Sequence, residues 1–308
     1  MRRVLISVSA AAAIAGCGSA SHARAVSLML DFSPNAVHAG IYAAMARGYD
    51  QQQGISLRVI PPPSPVDSVK LLEAGRVDFS ILDIHDLAIA RDRGANLVGV
   101  MAIVEHPLAA LIAQPGVASP KALDGQTVGT PGDPSDAAVL DSIVSGAGGN
   151  PRTIRTIQIG GDAVADLLSG RVAAATGFWN DEGVTLQSKR PGFRVFRLDR
   201  YGAPPYPELV LCTRRGTSRD LIRRTVRTLV LGYRALLADP RTAAAELEAR
   251  VPGLDPRLLA AQLHALLPAF SPIGRLNTAT LRAWASWEAR FGLVPKPPDV
   301  AQAFDTSF

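Results

Sequence analysis

Between residues 28 and 212, short apolar runs alternate with segments whose apolar side chains recur at helical spacing, and this alternation limits the fold more than any other feature. A strand that reaches its neighbour through a helix pairs with it in parallel, because the crossover returns the chain to the same end of the sheet. Leu28, Met29 and Leu30 read as a buried strand that Ser33, Pro34 and Asn35 interrupt, and residues 39–47 continue as a helix of small apolar residues. Strand-like runs follow at 56–60, 77–82, 97–104 and 108–113, with helical spacing at 66–74 and 84–93. A second unit from Gln114 has strands at 126–130, 153–159, 172–177 and 194–198 and helices at 136–144 and 162–169. The chain can cross back at 209–212, and residues 219–291 are largely helical. This pattern predicts an α/β protein with mainly parallel pairing and helices on both faces.

In such folds ligands bind beyond the carboxyl ends of the strands. Three loops therefore become candidates: 31–38, 83–86 and 105–106, which carry aspartate, histidine, glutamate, asparagine and phenylalanine. The loop Pro131-Gly132-Asp133-Pro134-Ser135-Asp136 opens a helix and is placed to present backbone amides to a ligand. It is no phosphate-binding fingerprint, since the spaced glycines of a dinucleotide loop and the Gly-Lys-Ser/Thr of a P-loop are missing. No Gly-x-Ser-x-Gly elbow and no His-Glu-x-x-His pair occurs either.

The first residues read as an export signal outside the fold: Arg2 and Arg3, an apolar run from 4 to 15, then Ala15-Gly16-Cys17-Gly18. The tetrad Ile14-Ala15-Gly16-Cys17 resembles a bacterial lipobox, in which Cys17 becomes the lipidated first residue; cleavage nearer Ala23 or Ala25 is the alternative. No other apolar run approaches the roughly 18 residues of a membrane span. With 47% hydrophobic and 19% charged residues over 308, the chain has an ordinary globular balance and enough length for two lobes. The formal charge of +5 falls to +3 without Arg2 and Arg3, and the arginines between 214 and 227 lack interleaved aromatics, which argues for a solvated face over nucleic-acid binding. Apart from Cys17 the only cysteine is Cys212, so neither an internal disulfide nor a cysteine metal cluster is available, and Cys212 is expected to pack as a small hydrophobe.

Five stretches carry a family resemblance: LDFSPNAVHAGIYAAMARGYDQQQGI, LLEAGRVDFSIL with its continuation IHDLAIARDRGANLVGVMAIVEHPLAALIA, LDGQTVGTPGDPSDAAVL, LLSGRVAAATGFWNDEGV and RYGAPPYPELVL. Together they resemble the periplasmic substrate-binding proteins of ABC transporters, in the branch for thiamine pyrimidine precursors that is similar to eukaryotic hydroxymethylpyrimidine phosphate synthase. The resemblance implies a type II periplasmic binding protein, two lobes joined by two hinge crossovers near 113–115 and 208–212. Residues 26–113 with 213–308 would form lobe 1 and residues 114–212 lobe 2, after a signal region at 1–25. It further implies a monomer without a cofactor that passes a small aromatic heterocycle to a membrane permease.

Carried over by motif, the ligand-binding residues would be Phe32 (where the family usually has tryptophan), Asn35, His38 and Tyr42 from lobe 1. Trp179, Asn180 and Glu182 would face them from lobe 2, with Tyr206 and Glu208 in the closing loop. Aromatic faces would hold a flat aminopyrimidine while a carboxylate, Glu182 or Glu208, accepts its amino group. Plainer roles exist for several: Tyr42 as core, Asp31 and Asn35 as turn formers, His38 and His106 as hydrogen-bonded structural histidines. His85 aligns with the synthase's reacting histidine, which makes a pyrimidine synthase the enzyme alternative. The synthase's cysteine cluster has no counterpart in residues 200–208, so the resemblance favours a non-catalytic protein whose His85 lines or supports the pocket. Among binding proteins, riboflavin and alkanesulfonate are the alternative ligands.

Overall fold

A computed structural model describes residues 23–63 and 65–308. The export signal and the lipobox cysteine Cys17 lie outside the described residues. Ten strands form two mixed five-stranded sheets: β1 Arg24–Met29, β2 Ile55–Ile60, β3 Phe79–Asp83, β4 Leu97–Val104, β5 Ala109–Ala113, β6 Thr127–Thr130, β7 Arg155–Gln158, β8 Ala174–Phe178, β9 Arg194–Arg197 and β10 Leu209–Arg214. The strand orders are β2-β1-β3-β10-β4 and β7-β6-β8-β5-β9.

Within each sheet, strands linked through helices pair in parallel, as β1 does with β2 and β3, and β6 with β7 and β8. The antiparallel members are β10, between β3 and β4, and β5, between β8 and β9. Each is the strand that has just arrived from the other lobe. The crossings therefore lie at residues 105–108 and 201–208, not at 113–115 and 208–212 as the sequence suggested. All of β5 belongs to the second sheet and all of β10 to the first, and β1 already begins at Arg24, ahead of the lobe boundary expected at 26. Both runs are buried along their whole length, so no alternation of polar and apolar residues tells which sheet they join.

β4 is an edge strand whose eight residues are all buried. The chain terminus covers it: Phe304 pairs with Gly99 in a parallel bridge, and a Cβ on Gly99 would lie 2.7 Å from the Phe304 ring. An exposed apolar edge would invite pairing with another chain, and this cover removes it. Cys212 is fully buried in β10, as expected of a small hydrophobe.

One helix contact fixes the cleft side of the first lobe. The helix Arg219–Ala238 buries Leu221, Ile222, Val226, Leu229, Tyr233 and Leu236 and packs on the helix Ala39–Ala46. Two glycines let the backbones approach: a Cβ on Gly232 would sit 2.0 Å from the Gly40 carbonyl oxygen, and one on Gly40 2.5 Å from the Tyr233 ring. The Tyr233 hydroxyl then donates to the Val37 carbonyl at 2.9 Å, which pins the turn Ala36–His38 beside the cleft. The first crossover is held at its start, where Glu105 N–H donates to Ala269 O at 2.8 Å and the Glu105 carboxylate accepts Arg275 N–H at 2.9 Å. Among the described residues no helix is long and apolar enough to cross a membrane.

Candidate functional site

A cleft of about 410 Å³ opens where the strand ends of both sheets meet the two crossovers. Among the described residues eight carboxylate side chains line it and no lysine, arginine or histidine does. Of the ten ligand contacts expected from the sequence, Phe32, Asn35, Asn180, Glu182 and Glu208 line the cleft. His38, Tyr42, His85, Trp179 and Tyr206 do not, and each has an identifiable task behind the wall.

The turn after β1 is self-locked. Asn35 caps it: its Oδ1 accepts Val37 N–H at 2.9 Å while its own N–H donates to His38 Nδ1 at 3.1 Å. Because Nδ1 accepts, the proton of a neutral His38 sits on Nε2, which donates to Asp31 Oδ1 at 2.8 Å. His38 is fully buried and aims Asp31 into the cleft. Phe32 is the large hydrophobic side chain left exposed, at 47%, and offers its ring at the cleft wall. Tyr42 is core, 6% exposed.

From the second lobe, the end of β8 supplies Phe178, Asn180, Asp181 and Glu182. Trp179 points the other way. Its Nε1–H donates to Pro107 O at 2.9 Å, its backbone N–H to Leu108 O at 3.0 Å, and the Arg197 guanidinium stacks 4.2 Å from its ring centroid. Trp179 thus braces the first crossover. The Asn180 Oδ1 is buried and meets no donor. Asp181 accepts from Gln262 Nε2 at 2.7 Å, a bond that reaches from the second lobe to the helix Pro256–Leu266 of the first. Glu182 accepts Phe178 N–H at 2.9 Å; burial, with Asp181 adjacent, pushes its carboxyl up to about 7.

The 131–136 loop lines the cleft, yet the Gly132 and Asp133 amides are taken. Asp136 Oδ2 accepts both Gly132 N–H and Asp133 N–H at 2.7 Å, and Oδ1 accepts the Thr176 hydroxyl at 2.6 Å. An anion would find a carboxylate where the sequence suggested free amides, which corrects that expectation.

The floor is built on Glu208. Its Oε2 accepts Leu108 N–H at 2.5 Å and Ala109 N–H at 3.2 Å, so the end of the second crossover holds the end of the first. Its Oε1 meets no N–H or O–H, and its neighbour is the Asp83 carboxyl; the two form a hydrogen bond only when one carries a proton. Burial raises both, Asp83 well above the usual carboxylate range. The sequence pointed to the 83–86 loop but not to this pairing.

Behind the floor, His85 Nδ1 bonds Glu288 and Nε2 bonds the Tyr206 hydroxyl at 3.0 Å. Burial opposes charge on this ring, but Glu288 and Asp83 overcome it and raise His85 to about 10. Charged, the ring donates from both nitrogens. Asp83, His85 and Glu208 bring potential metal-binding atoms within 4.8 Å of one another, but both His85 nitrogens are engaged and offer no free lone pair. Glu288 and Gln262 come from the helices Thr278–Arg290 and Pro256–Leu266, far along the chain from their partners, and no local motif marked them.

The profile of the NMT1/THI5-like family matches residues 35–243. A formylaminopyrimidine-binding protein of Halalkalibacterium halodurans is 30% identical over 224 residues, covering 71% of this chain and 68% of that one. A 4-amino-5-hydroxymethyl-2-methylpyrimidine phosphate synthase of Legionella pneumophila is 26% identical over 53% of this chain, which spans about half, 52%, of the synthase. In fold, the periplasmic aliphatic sulphonate-binding protein of Escherichia coli superposes with a TM-score of 0.73 at 16% identity, covering 91% of each chain.

Proposed function

The chain belongs to the NMT1/THI5-like family, and on that premise we propose that it captures an aminopyrimidine of the thiamine-precursor type outside the cytoplasmic membrane and delivers it to an ABC permease without transforming it. The observation that carries this reading is the polarity of the cleft: among the described residues eight carboxyl groups and no basic side chain line it, and one buried acceptor, Asn180 Oδ1, lacks a donor, while Glu208 Oε1 finds one only in a protonated Asp83. A buried acceptor without a donor is costly, so the occupant should bring N–H groups or positive charge. The amino group of an aminopyrimidine supplies N–H donors, and the ring nitrogen para to it supplies positive charge when it takes up a proton. Glu208 with Asp83 on the floor and Glu182 on the second-lobe wall can accept such an edge, and Phe32 offers a face for the ring.

The same polarity weighs against the alternatives. A sulfonate would meet carboxylates with no cation to pair it. The imide edge of a flavin presents two carbonyl acceptors around one N–H, a poor match to a wall of acceptors. A synthase reacting through His85 would need that ring to face the substrate, whereas it is 1% exposed and engaged at both nitrogens. Binding without chemistry is the reading these residues support.

The test is mass spectrometry of small molecules released from purified protein, followed by thermal shift with a hydroxymethyl or formylamino aminopyrimidine, riboflavin and an alkanesulfonate. Saturation at a hundred times Kd stabilises by about 2.7 kcal/mol, a shift of several degrees. The aminopyrimidine should raise Tm and the sulfonate should not. A sulfonate shift with no aminopyrimidine shift would reject the ligand class.

A further inference from the structure

Three arginines of the helix Arg219–Ala238 form a stripe that no other described residue engages. Arg223, Arg227 and Arg234 are exposed and have no ion-pair or hydrogen-bond partner among the described residues. At 3.6 residues per turn they fall within about 40° of one another and span about 16 Å along the axis. Arg224 is paired with Asp220 at 2.7 Å, and Arg219 with Asp305 at 2.9 Å, so the unpaired charge is confined to one line. The opposite face of this helix is locked against the helix Ala39–Ala46 through Gly232 and Gly40, which turns the stripe away from the sheet and the cleft.

The described chain also begins beside this helix. Arg24, the first residue of β1, donates its N–H to Gly54 O at 3.1 Å, and the preceding carbonyl, Gln53 O, accepts from Arg224 at 3.3 Å. From Ala23 back to Cys17 is six residues, at most about 20 Å of extended chain. A lipid on Cys17 would hold the membrane surface within that distance of the arginine helix.

We propose that the Arg223, Arg227 and Arg234 stripe docks the protein laterally on an anionic lipid surface, the occupant its charge and the short N-terminal tether both select. The tether makes a weak electrostatic contact effectively intramolecular, so three charges suffice to set orientation. The domain then lies with this flank on the membrane and its cleft free of it. This rests on the exported, tethered reading; without a lipid the same three charges bind an anionic surface weakly but measurably at low salt, which is what the vesicle assay reads.

The chain from Gly18 onward, which contains every described element, is sedimented with vesicles of 40% phosphatidylglycerol in phosphatidylcholine and with pure phosphatidylcholine, at 20 and 300 mM salt. Binding should require the anionic lipid and fall at high salt, where screening shortens the reach of surface charges. The triple substitution R223Q/R227Q/R234Q should lower partitioning at least tenfold, while R223K/R227K/R234K keeps it, since lipid headgroups read charge rather than guanidinium geometry. Thermal shift with ligand should be the same in all three proteins. Equal binding to neutral vesicles, or a glutamine variant within twofold of the parent, overturns the proposal. If the glutamine variant still partitions normally but uptake in cells fails, the stripe serves a protein partner and the proposal is equally wrong. Metabolic labelling of Cys17 with a fatty acid tests the tether separately.

Discussion

Replacing Glu182 with glutamine should make the empty protein more stable at alkaline pH while destroying its affinity for ligand. Burial raises this carboxyl from its ordinary 4.5 to about 7, so the fold disfavours the ionised form. Below about pH 4.5 the group is protonated in both folded and unfolded chains and exerts no effect. Between 4.5 and 7 the unfolded chain ionises first and native stability declines; above 7 the loss is complete. Two and a half units correspond to an upper bound of about 3 kcal/mol. Glutamine does not titrate, and its carbonyl can still accept the Phe178 N–H that Glu182 Oε2 accepts at 2.9 Å. For a chain of this size about 3 kcal/mol amounts to roughly 5 °C or more in Tm. Thermal melts of ligand-free parent and variant from pH 4.5 to 8.5 should therefore coincide at the acid end and separate, variant above parent, through pH 7. A difference that does not change with pH, or one that shrinks as pH rises, would refute the argument that burial of this carboxyl is the cause.

Three other substitutions test separate parts of the structure. Asn180→Ala removes a buried acceptor that has no donor in the empty cleft, so urea melts should show no loss of stability while calorimetry shows ligand affinity about tenfold weaker. His85→Leu strands Glu288 without its partner and should cost about 3–5 kcal/mol in denaturant unfolding, most of it recovered in the His85→Leu/Glu288→Met double variant; failure of the second change to rescue would dismiss the buried pair as the cause. Gly232→Ala places a methyl 2.0 Å from the Gly40 carbonyl, and the two helices must part to admit it, at about 1–3 kcal/mol or more; an unchanged midpoint would mean the helix contact is looser than described.

Local pattern told much of the fold and little of the connectivity. Strand and helix placements came from spacing that each segment carries by itself, and β2, β6 and β9 lie within a residue of where apolar runs put them. The crossovers did not, because β5 and β10 are buried on both faces and their antiparallel partners lie elsewhere in the chain. At the site, Asn35 stood in a strand-end loop that topology singles out, while Asn180, Glu182 and Glu208 were legible only through the family resemblance. Trp179 and Tyr206, expected at the wall, turn inward: the Trp179 N–H donates to Pro107 O, and the Tyr206 hydroxyl oxygen accepts from His85 Nε2. Type and position in sequence do not reveal which side of a loop such a ring takes. That the loops offer carboxylates was legible, but the convergence of eight was not, since Asp86, Asp133 and Asp181 each look like ordinary turn or helix-start residues.

The bond from Gln262 to Asp181 bears on what an empty carrier presents to its transporter. It joins the lobes through the protein's own side chains, so it favours the joined arrangement whether or not cargo is bound. The fraction of empty carriers that is shut is then larger than in a carrier that shuts only on its cargo. A transporter that recognised shut carriers alone would be engaged by empty ones too. Engagement of that transporter by empty carriers is where loosening this single amide-to-carboxylate contact should be felt.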